Sequence, residues 1–224
     1  MRRAARRVRG LRIVGRLPPT GPGFLRLERF RARNLYAGGG ESPSYRFEVV
    51  HRRTVDAVAI IPFFRREGRL WVVLKEGFRP GLYLRHRLRL AVRDRRAYTL
   101  FREAVAGSLE RGDRGERGID RRARAELLEE TGFGPADGRI LRLGAGFFPS
   151  HGQSTEKVHL RAARIDPGRG IRPPGDGSVN EGDSGTLAME AGALLRACQA
   201  GRIEDPKLEI GVTRLCRRLG YRVR

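Results

Sequence analysis

Cysteine is scarce in this sequence, with two residues in a chain of 224. Cys198 and Cys216 lie in apolar segments and show neither the spacing of a metal-ligand pair nor a disulfide framework. The sequence therefore excludes a disulfide-stabilised secreted scaffold. It favours a reducing compartment, which we expect to be the cytoplasm.

Long apolar runs are also missing. No stretch of about 18 consecutive apolar residues occurs, which predicts that no segment spans a membrane. The arginine-rich first residues are not followed by the apolar stretch of a secretory signal. We therefore expect a soluble, intracellular protein without a membrane partner.

Lysine is nearly absent, because only Lys75, Lys157 and Lys207 occur among 47 basic residues and the others are arginine. Against 25 acidic residues, this composition gives a formal net charge of +22. One interpretation is a coding preference for arginine. The other is a surface field that attracts polyanions such as nucleotides or RNA. Composition alone does not separate the two.

The chain divides into three segments. Residues 1–22 contain many arginines, no acidic residue and an end rich in Pro and Gly, which predicts a flexible basic tail. Such a tail is a solvated extension, an RNA-binding arm or a targeting peptide. Residues 23–55 are expected to form an N-terminal β element, and residues 56–224 are expected to form the main globular domain.

Apolar periodicity predicts the secondary structure. Alternation from Phe24 to Arg31 and from Tyr45 to Val50 predicts a hairpin, and the apolar runs Asp56–Phe64 and Arg69–Lys75 predict two buried strands. Residues 79–102 are predicted to be a basic loop or an irregular strand pair. Strands are expected over residues 140–148 and 157–165, a short strand with a helix over 187–201, and a helix over 206–219. This mixture predicts an α/β sandwich with a largely antiparallel or mixed sheet.

Three glutamates mark the segment that carries the chemistry. Asp120 to Gly132 is predicted to be a helix with these two residues as its caps, and Glu126, Glu129 and Glu130 share one face within one turn. Like charges so close together repel each other unless a cation lies among them. Oxygen ligands suit a hard ion such as Mg²⁺ or Mn²⁺. The alternative is a solvated acidic face that pairs with neighbouring arginines.

These residues resemble the Nudix box, whose pattern is Gly, a spacer, Glu, a spacer and then Arg-Glu-apolar-x-Glu-Glu-x-Gly-apolar. Gly107, Glu116 and the unbroken run Glu126–Phe133 carry the resemblance. Glu103–Gly107 resembles the start of the box in the ADP-ribose pyrophosphatase branch. Other segments similar to that branch are Glu76–Pro80, Phe147–Gly152 with the later Glu156, and Gly201–Lys207. The resemblance covers about residues 45 to 220.

Two departures from the box stand out. Eight residues separate Gly107 from Glu116 where five are usual, so the loop before the helix is enlarged. The position of the box arginine holds Ala125. In the family this arginine holds the loop and a carboxylate in place, so we expect weakened activity unless Arg122 or Arg124 substitutes from a neighbouring helix position.

The resemblance implies a Nudix-type α/β/α sandwich with a mixed central sheet, plus the small N-terminal antiparallel β element. It further implies a hydrolase that uses Mg²⁺ or Mn²⁺ to cleave a diphosphate bond in ADP-ribose or a related nucleotide sugar, giving a nucleoside monophosphate and a sugar phosphate. The expected metal ligands are the carbonyl of Ala106 and the side chains of Glu116, Glu126, Glu129 and Glu130.

A general base must come from another segment, because the helix carboxylates bind metal. The resemblance points to a late acidic loop and hence to Glu181, with Glu156 as the second candidate. Arg79 and Glu103 are expected at the substrate, since a guanidinium offers two hydrogen bonds to a phosphate. Members of this branch are commonly homodimers, so a homodimer is expected in which residues 24–55 contribute to the partner's site.

Two other functions stay open. One is a Nudix hydrolase that acts on coenzyme A, dinucleotides or capped RNA, which the basic surface favours. The other is a nucleotide- or RNA-binding module without turnover, which would use the arginines of residues 85–96 and the basic tail. Ala125 favours the binding module, whereas the three crowded carboxylates oppose it.

Overall fold

The computed structural model describes residues 2–3, 23–175, 177, 179 and 183–223, with the backbone alone for residues 2–3. Within these residues the chain is a mixed α/β protein with an eight-stranded mixed sheet and a two-stranded antiparallel sheet. The expected base Glu181 lies outside the described residues, as do residues 4–22 of the predicted tail. Arg2–Arg3 form a short strand that pairs with the last strand of the large sheet.

The strands are β1 (Arg2–Arg3), β2 (Leu25–Ala32), β3 (Tyr45–Arg52), β4 (Ala57–Arg66), β5 (Arg69–Gly77), β6 (Phe101–Glu103), β7 (Val105–Ser108), β8 (Leu141–Arg142), β9 (Val158–Arg164) and β10 (Gly185–Glu190). The helices are α1 (Pro80–Tyr83), α2 (Gly115–Thr131), α3 (Ala191–Gln199) and α4 (Pro206–Arg218). Short 3₁₀ turns lie at Leu84–Arg87 and Pro167–Arg169. No helix among the described residues is long and apolar enough to cross a membrane.

Strands β4 and β5 form a hairpin whose arms separate away from the turn. They pair with each other only near the turn, and further along β6 pairs with β5 while β7 pairs with β4. Ala104, between β6 and β7, donates its N–H to Asp205 Oδ2 at 2.7 Å. This separation brings Lys75 of β5, Glu103 of β6 and Ala106 of β7 to one end of the sheet, where they line a common pocket.

Helices cover both faces of the large sheet, and β4 shows why. Its side chains alternate between the faces, so Val58 and Ile60 pack with α2 while Ala59 and Ile61 pack with α3 and α4. All four are fully buried. Burial of each branched side chain contributes about 1.5–3 kcal/mol, which accounts for the nearly unbroken apolar run that predicted this strand.

Helix α2 begins earlier than the sequence predicted. Its N-cap is Arg114 and not Asp120, so the predicted N-cap is wrong, whereas Gly132 ends the helix with a positive φ of 74° as expected. Asp120 lies inside the helix, where its Oδ1 accepts from Arg161 Nε at 2.6 Å. Arg161 comes from β9 and is 1% exposed, so a buried guanidinium ties the first half of α2 to the sheet.

Most of the other elements agree with the sequence analysis, which predicted no strand at the position of β7. The hairpin β2–β3, the buried strands β4 and β5, strand β9, and the pairs β10–α3 and α4 are confirmed. The strand expected over residues 140–148 is wrong in extent, because only Leu141–Arg142 pair with β9 as a strand. Of residues 79–102, those up to residue 100 form α1, a 3₁₀ turn and irregular chain, and Phe101 and Arg102 begin β6.

Candidate active site

A pocket of about 540 Å³ opens where β5, β6, β7 and α2 meet. Its lining holds five carboxylates and three cationic groups. The carboxylates belong to Glu103, Glu110, Glu126, Glu129 and Glu130, and the cations belong to Lys75, Arg79 and Arg122. In a protein with a net charge of +22, this pocket therefore has an excess of acid. We call it the acidic pocket.

Most of the site residues predicted from the sequence meet in the acidic pocket. The helix glutamates Glu126, Glu129 and Glu130 line it, together with the strand residues Ala106 and Glu103 and the loop residue Arg79. These residues come from three separate parts of the chain. The separated strands and the C-terminal half of α2 therefore bring together Ala106, Glu126, Glu129 and Glu130 of the expected metal ligands, but not Glu116.

Glu130 is the most deeply buried of the three helix glutamates, with 7% of the residue exposed. Its Oε2 accepts from the backbone N–H of Ala106 at 3.1 Å, and its Oε1 forms an ion pair with Lys75. Burial raises the pKa of the Glu130 carboxyl, although the Lys75 ammonium and the Ala106 N–H favour its charged form. Lys75 was not predicted as a site residue, and no local signal marks it, because its partner lies 55 positions away.

Glu126 approaches the backbone of β7 at Gly107. A Cβ at position 107 would overlap the carboxylate of Glu126, so this contact requires a residue without a side chain. The Glu126 side chain is only 12% exposed. The space that the Glu126 carboxylate occupies therefore favours glycine at position 107.

Arg122 connects the enlarged loop to Glu126. Its Nε donates to Asp113 Oδ2 at 2.9 Å, its Nη2 lies 2.8 Å from Glu110 Oε1, and its Nη1 lies 3.9 Å from Glu126 Oε1. Arg124 instead donates to the carbonyl of Gly138, away from the acidic pocket. Of the two arginines considered as substitutes for the one missing at Ala125, Arg122 is the one that reaches both the loop and a helix carboxylate.

Asp113 is a structural residue of the site that the sequence reasoning missed. Its side chain is 3% exposed and accepts from Glu110 N at 2.9 Å, from Arg122, and from Arg121 Nη2 at 2.8 Å. Burial acts to raise the pKa of Asp113, but the backbone N–H and the two guanidinium groups outweigh burial and lower it. The available signal was spacing, since five residues separate Gly107 from Asp113, as the box pattern requires.

Arg79 and Glu103 form an ion pair at the rim of the pocket. Arg79 Nε donates to Glu103 Oε1 at 2.7 Å, and Lys207 Nζ lies 3.8 Å from Glu103 Oε2. Burial disfavours the charge on Arg79, but Glu103 outweighs it and raises the pKa of the guanidinium. Asp205, the N-cap of α4, accepts a hydrogen bond from the N–H of Ala104, the residue after Glu103. The segment Gly201–Lys207, which the resemblance also covers, therefore helps to position Glu103 for its pair with Arg79.

Two expected site residues lie elsewhere, and a third lies outside the described residues. Glu116 Oε2 accepts from Arg161 Nη2 at 2.6 Å and its Oε1 lies 3.3 Å from Arg142, so it supports the packing of α2 on β9 and does not line the acidic pocket. Glu156 forms an ion pair with Arg52 and is also absent from the pocket lining. The third residue is Glu181.

The donor chemistry of the acidic pocket suits a hard divalent cation. Carboxylates from one helix turn face a strand whose backbone offers the carbonyl of Ala106, and all of these donors are oxygen atoms. The close approach at Gly107 brings strand and carboxylate together. In the described part of the chain, no three His, Cys, Asp or Glu side chains are grouped as a finished metal site, and Glu130 is directed to Lys75.

No protein-family model matches this chain, and no curated protein matches its sequence. The resemblance to the Nudix family therefore stays a prediction, supported by the motif and by the geometry of the acidic pocket.

Proposed function

We propose that this chain is a Nudix-type hydrolase that cleaves the diphosphate bond of a nucleoside diphosphate derivative, with ADP-ribose or a related nucleotide sugar as the substrate. The products are a nucleoside monophosphate and a sugar phosphate. One observation carries the proposal: Ala106 and Gly107 on β7 meet Glu126, Glu129 and Glu130 of α2 in one acidic pocket. A solvated acidic helix face has no need of a matching glycine or of a pocket.

Glu126, Glu129, Glu130 and the carbonyl of Ala106 are the groups proposed to hold Mg²⁺ or Mn²⁺. When bound, such an ion polarises a phosphoryl oxygen and favours deprotonation of a water molecule at neutral pH. Glu116, which was expected in this set, is not retained because it pairs with Arg161 outside the pocket. The ion pair between Lys75 and Glu130 neutralises one of these carboxylates inside the protein itself.

Arg79 is proposed to bind the diphosphate of the substrate. A guanidinium presents a planar pair of donors to phosphate oxygens, and Glu103 already fixes its position at the rim. The guanidinium of Arg79 is charged at neutral pH, as arginine is in general. Glu103 thus acts as a positioning residue for Arg79. The substrate phosphate either displaces the Glu103 carboxylate from Arg79 or binds the same guanidinium beside it.

Glu181 remains the proposed general base. Ser184, three positions after Glu181 in the sequence, lines the acidic pocket, and its Cβ lies 3.3 Å from where a Cβ on Gly77 would lie. Only two residues therefore separate Glu181 in the sequence from a residue of the pocket lining. Glu156 is less suitable, because its carboxylate is held by Arg52.

A homodimer is proposed from the surface of the β2–β3 hairpin. Phe30 and Phe47 stack at 5.0 Å between ring centroids on one face, and Leu25 and Leu27 of β2 are more than half exposed. An isolated two-stranded hairpin is only marginally stable in water, so such apolar surface favours a covering partner. Phe24, next to the hairpin, lines the acidic pocket, so the hairpin adjoins the site.

A nucleotide-binding module without turnover is the second candidate. The ammonium of Lys75 already balances Glu130, which lets the pocket exist without a metal ion, and Ala125 replaces the box arginine. Under this alternative a nucleotide binds to the protein and leaves unchanged.

The deciding experiment measures phosphate-coupled product formation from a panel of nucleoside diphosphate derivatives, with Mg²⁺ or Mn²⁺ added. The wild type is compared with Glu130→Gln, and the control is Glu209→Gln, an exposed glutamate of α4. We expect metal-dependent release of AMP from ADP-ribose by the wild type and the control, and none by Glu130→Gln. Folded protein that turns over no member of the panel would support the binding module and refute the hydrolase.

A further inference from the structure

A second pocket lies in the irregular segment between α1 and β6. Its volume is about 480 Å³, and it is lined by residues between Leu82 and Tyr98. Positive groups in the lining come from Arg85, Arg89, Arg93 and Arg96, and aromatic rings come from Tyr83, His86 and Tyr98. We call it the insert pocket. It shares no lining residue with the acidic pocket.

Two of its arginines hold the segment in shape. Arg85 binds Asp94 through two hydrogen bonds, at 2.8 Å from Nε and 3.1 Å from Nη2. Arg96 donates to the carbonyl of Arg202 at 2.9 Å and forms an ion pair with Glu204, which anchors the segment to the chain before α4. The ion pair between Arg85 and Asp94 therefore stabilises the insert pocket from within. The contacts of Arg96 attach it to the segment before α4.

The remaining arginines of the segment are presented to solvent. Arg87, Arg89, Arg93 and Arg95 are exposed, and within the described residues no carboxylate pairs with them. Asp94 is the one acidic residue that the sequence has between positions 80 and 102, and Arg85 already holds it. Exposed guanidinium groups that no carboxylate neutralises attract anions, and a cluster of them suits the phosphates of a nucleic-acid strand.

Aromatic rings connect the two pockets. The rings of Phe78 and Tyr83 lie 5.3 Å apart between centroids, and those of Tyr83 and His86 lie 4.6 Å apart. Phe78 lines the acidic pocket, while Tyr83 and His86 line the insert pocket. A cationic groove interleaved with aromatic rings is the usual surface on which single strands bind, with bases stacked on rings and phosphates on arginines.

We propose that the insert pocket binds single-stranded nucleic acid. Arg89 and Arg93 contact phosphates, Tyr83 and His86 stack a base, and the bound strand leads towards the acidic pocket. This binding goes beyond the proposed hydrolysis and does not depend on it. Stacking requires a free base face, so a duplex binds more weakly than a single strand of the same sequence.

An anionic lipid surface is the competing occupant, because Leu88 and Val92 are 62% and 81% exposed among the same arginines. The concave shape of the pocket and the rings that line it favour the single strand, since a flat membrane surface contacts neither. Vesicles are therefore included in the test.

The test is fluorescence anisotropy with a labelled RNA strand of roughly ten nucleotides, within the range that such grooves cover. It is made without added metal ion, so its result is independent of hydrolysis. The variant carries Arg89→Ser with Arg93→Ser, and the control carries Arg217→Ser with Arg218→Ser, two exposed arginines at the end of α4. Both proteins lose the same charge. Circular dichroism melts check that each remains folded.

We expect the insert variant to bind at least about tenfold more weakly than the wild type. Its slope of log affinity against log salt should fall by about 1.4, at about 0.7 for each phosphate that the variant no longer neutralises. The control should bind within about twofold of the wild type. An abasic strand of the same length should bind about fivefold more weakly than the RNA, because its charges remain and its stacking is lost. Comparing the affinity for a DNA strand of the same sequence then shows whether the sugar contributes to binding.

Equal losses of affinity in the two variants would show that only the overall charge attracts the strand, and this would overturn the proposal. Abasic and normal strands of equal affinity would overturn the stacking part. Preferential binding to vesicles that contain phosphatidylserine, abolished by the insert variant, would assign the patch to a lipid surface instead.

Discussion

Replacing Arg122 with methionine removes the guanidinium that joins the loop before α2 to the first helix carboxylate. Methionine keeps an unbranched apolar chain, so the packing of the arginine stem is largely preserved. The change removes the bond to Asp113 and the interactions with Glu110 and Glu126. The variant therefore tests whether Arg122 performs the positioning that the box arginine performs in the family.

The expected loss of stability follows from the burial of each partner. Asp113 is 3% exposed and the Arg122 side chain 17%, so their hydrogen bond is that of a charged, partly buried pair. Glu110 is 66% exposed and contributes little. Asp113 also keeps its bonds to Glu110 N and Arg121. We expect the free energy of unfolding to fall by about 2 kcal/mol, the value for one hydrogen bond to a charged group.

The pH dependence of this loss has a definite sign. The pKa of Asp113 is lowered in the folded protein from its ordinary value of 3.8, so its stabilisation is complete above that value. It is lost as the pH falls through the lowered pKa. The difference in stability between wild type and Arg122→Met should therefore be full at neutral pH and should shrink in strong acid.

Activity is the second readout. Residues that orient a metal ligand usually change metal affinity or activity by about 10- to 100-fold when they are replaced. We expect Arg122→Met to reduce metal-dependent turnover of ADP-ribose by that factor. The matched control is Arg121→Met, because Arg121 binds the same Asp113 but is 64% exposed and has no contact with Glu126 in the structure. Its stability should fall by less than about 1 kcal/mol and its activity should change little.

Equal reductions of activity in Arg122→Met and Arg121→Met would mean that activity depends only on the bonds to Asp113 in the loop. The approach of Arg122 to Glu126 would then have no function. Full activity in Arg122→Met would refute the positioning role altogether. Denaturant unfolding of both variants separates these outcomes from simple loss of the folded state.

Two further predictions concern the acidic pocket. Gly107→Ala should cost only about 1 kcal/mol of stability, because the flexible carboxylate of Glu126 moves aside, but should reduce turnover by about 100-fold through that displacement. Gly112→Ala is the control, because Gly112 lies in the loop after β7 and a Cβ there meets open space. Equal activities of the two variants would contradict the role of Gly107. Lys75→Met should lower the stability of metal-free protein by about 3–5 kcal/mol, since Glu130 is left buried without its cation. Added Mg²⁺ should then raise the thermal midpoint of this variant more than that of the wild type, and an equal rise would contradict a shared site.

Local patterns account for the elements that the sequence predicted well. The buried run of β4 and the alternation of β2 and β3 depend only on neighbouring residues, as do the spacing of Glu126, Glu129 and Glu130 and the helix end at Gly132. The start of α2 was missed because Asp120 has the side chain of a good cap. Its carboxylate is instead bound by Arg161, 41 positions away, which no local pattern reveals.

Residue type and spacing gave opposite answers for the acid in the loop. Type selected Glu116, because the box carries glutamate there, whereas the spacing of five residues selects Asp113. In the structure Asp113 accepts a hydrogen bond from Arg122, which lines the acidic pocket. Glu116 accepts one from Arg161, which does not line it. Neither acid lines the acidic pocket, and Asp113 is the one that the fold connects to Glu126, through Arg122.

Helical periodicity and one short motif were enough to predict that a helix face with three carboxylates follows Gly107. The groups that complete this face became visible only in the folded chain. Lys75 reaches Glu130 from a strand 55 positions earlier, and Arg122 takes over the loop contact in a chain that has Ala125. These pairings depend on how β4 and β5 separate and where α2 crosses them, and packing between distant segments sets that geometry.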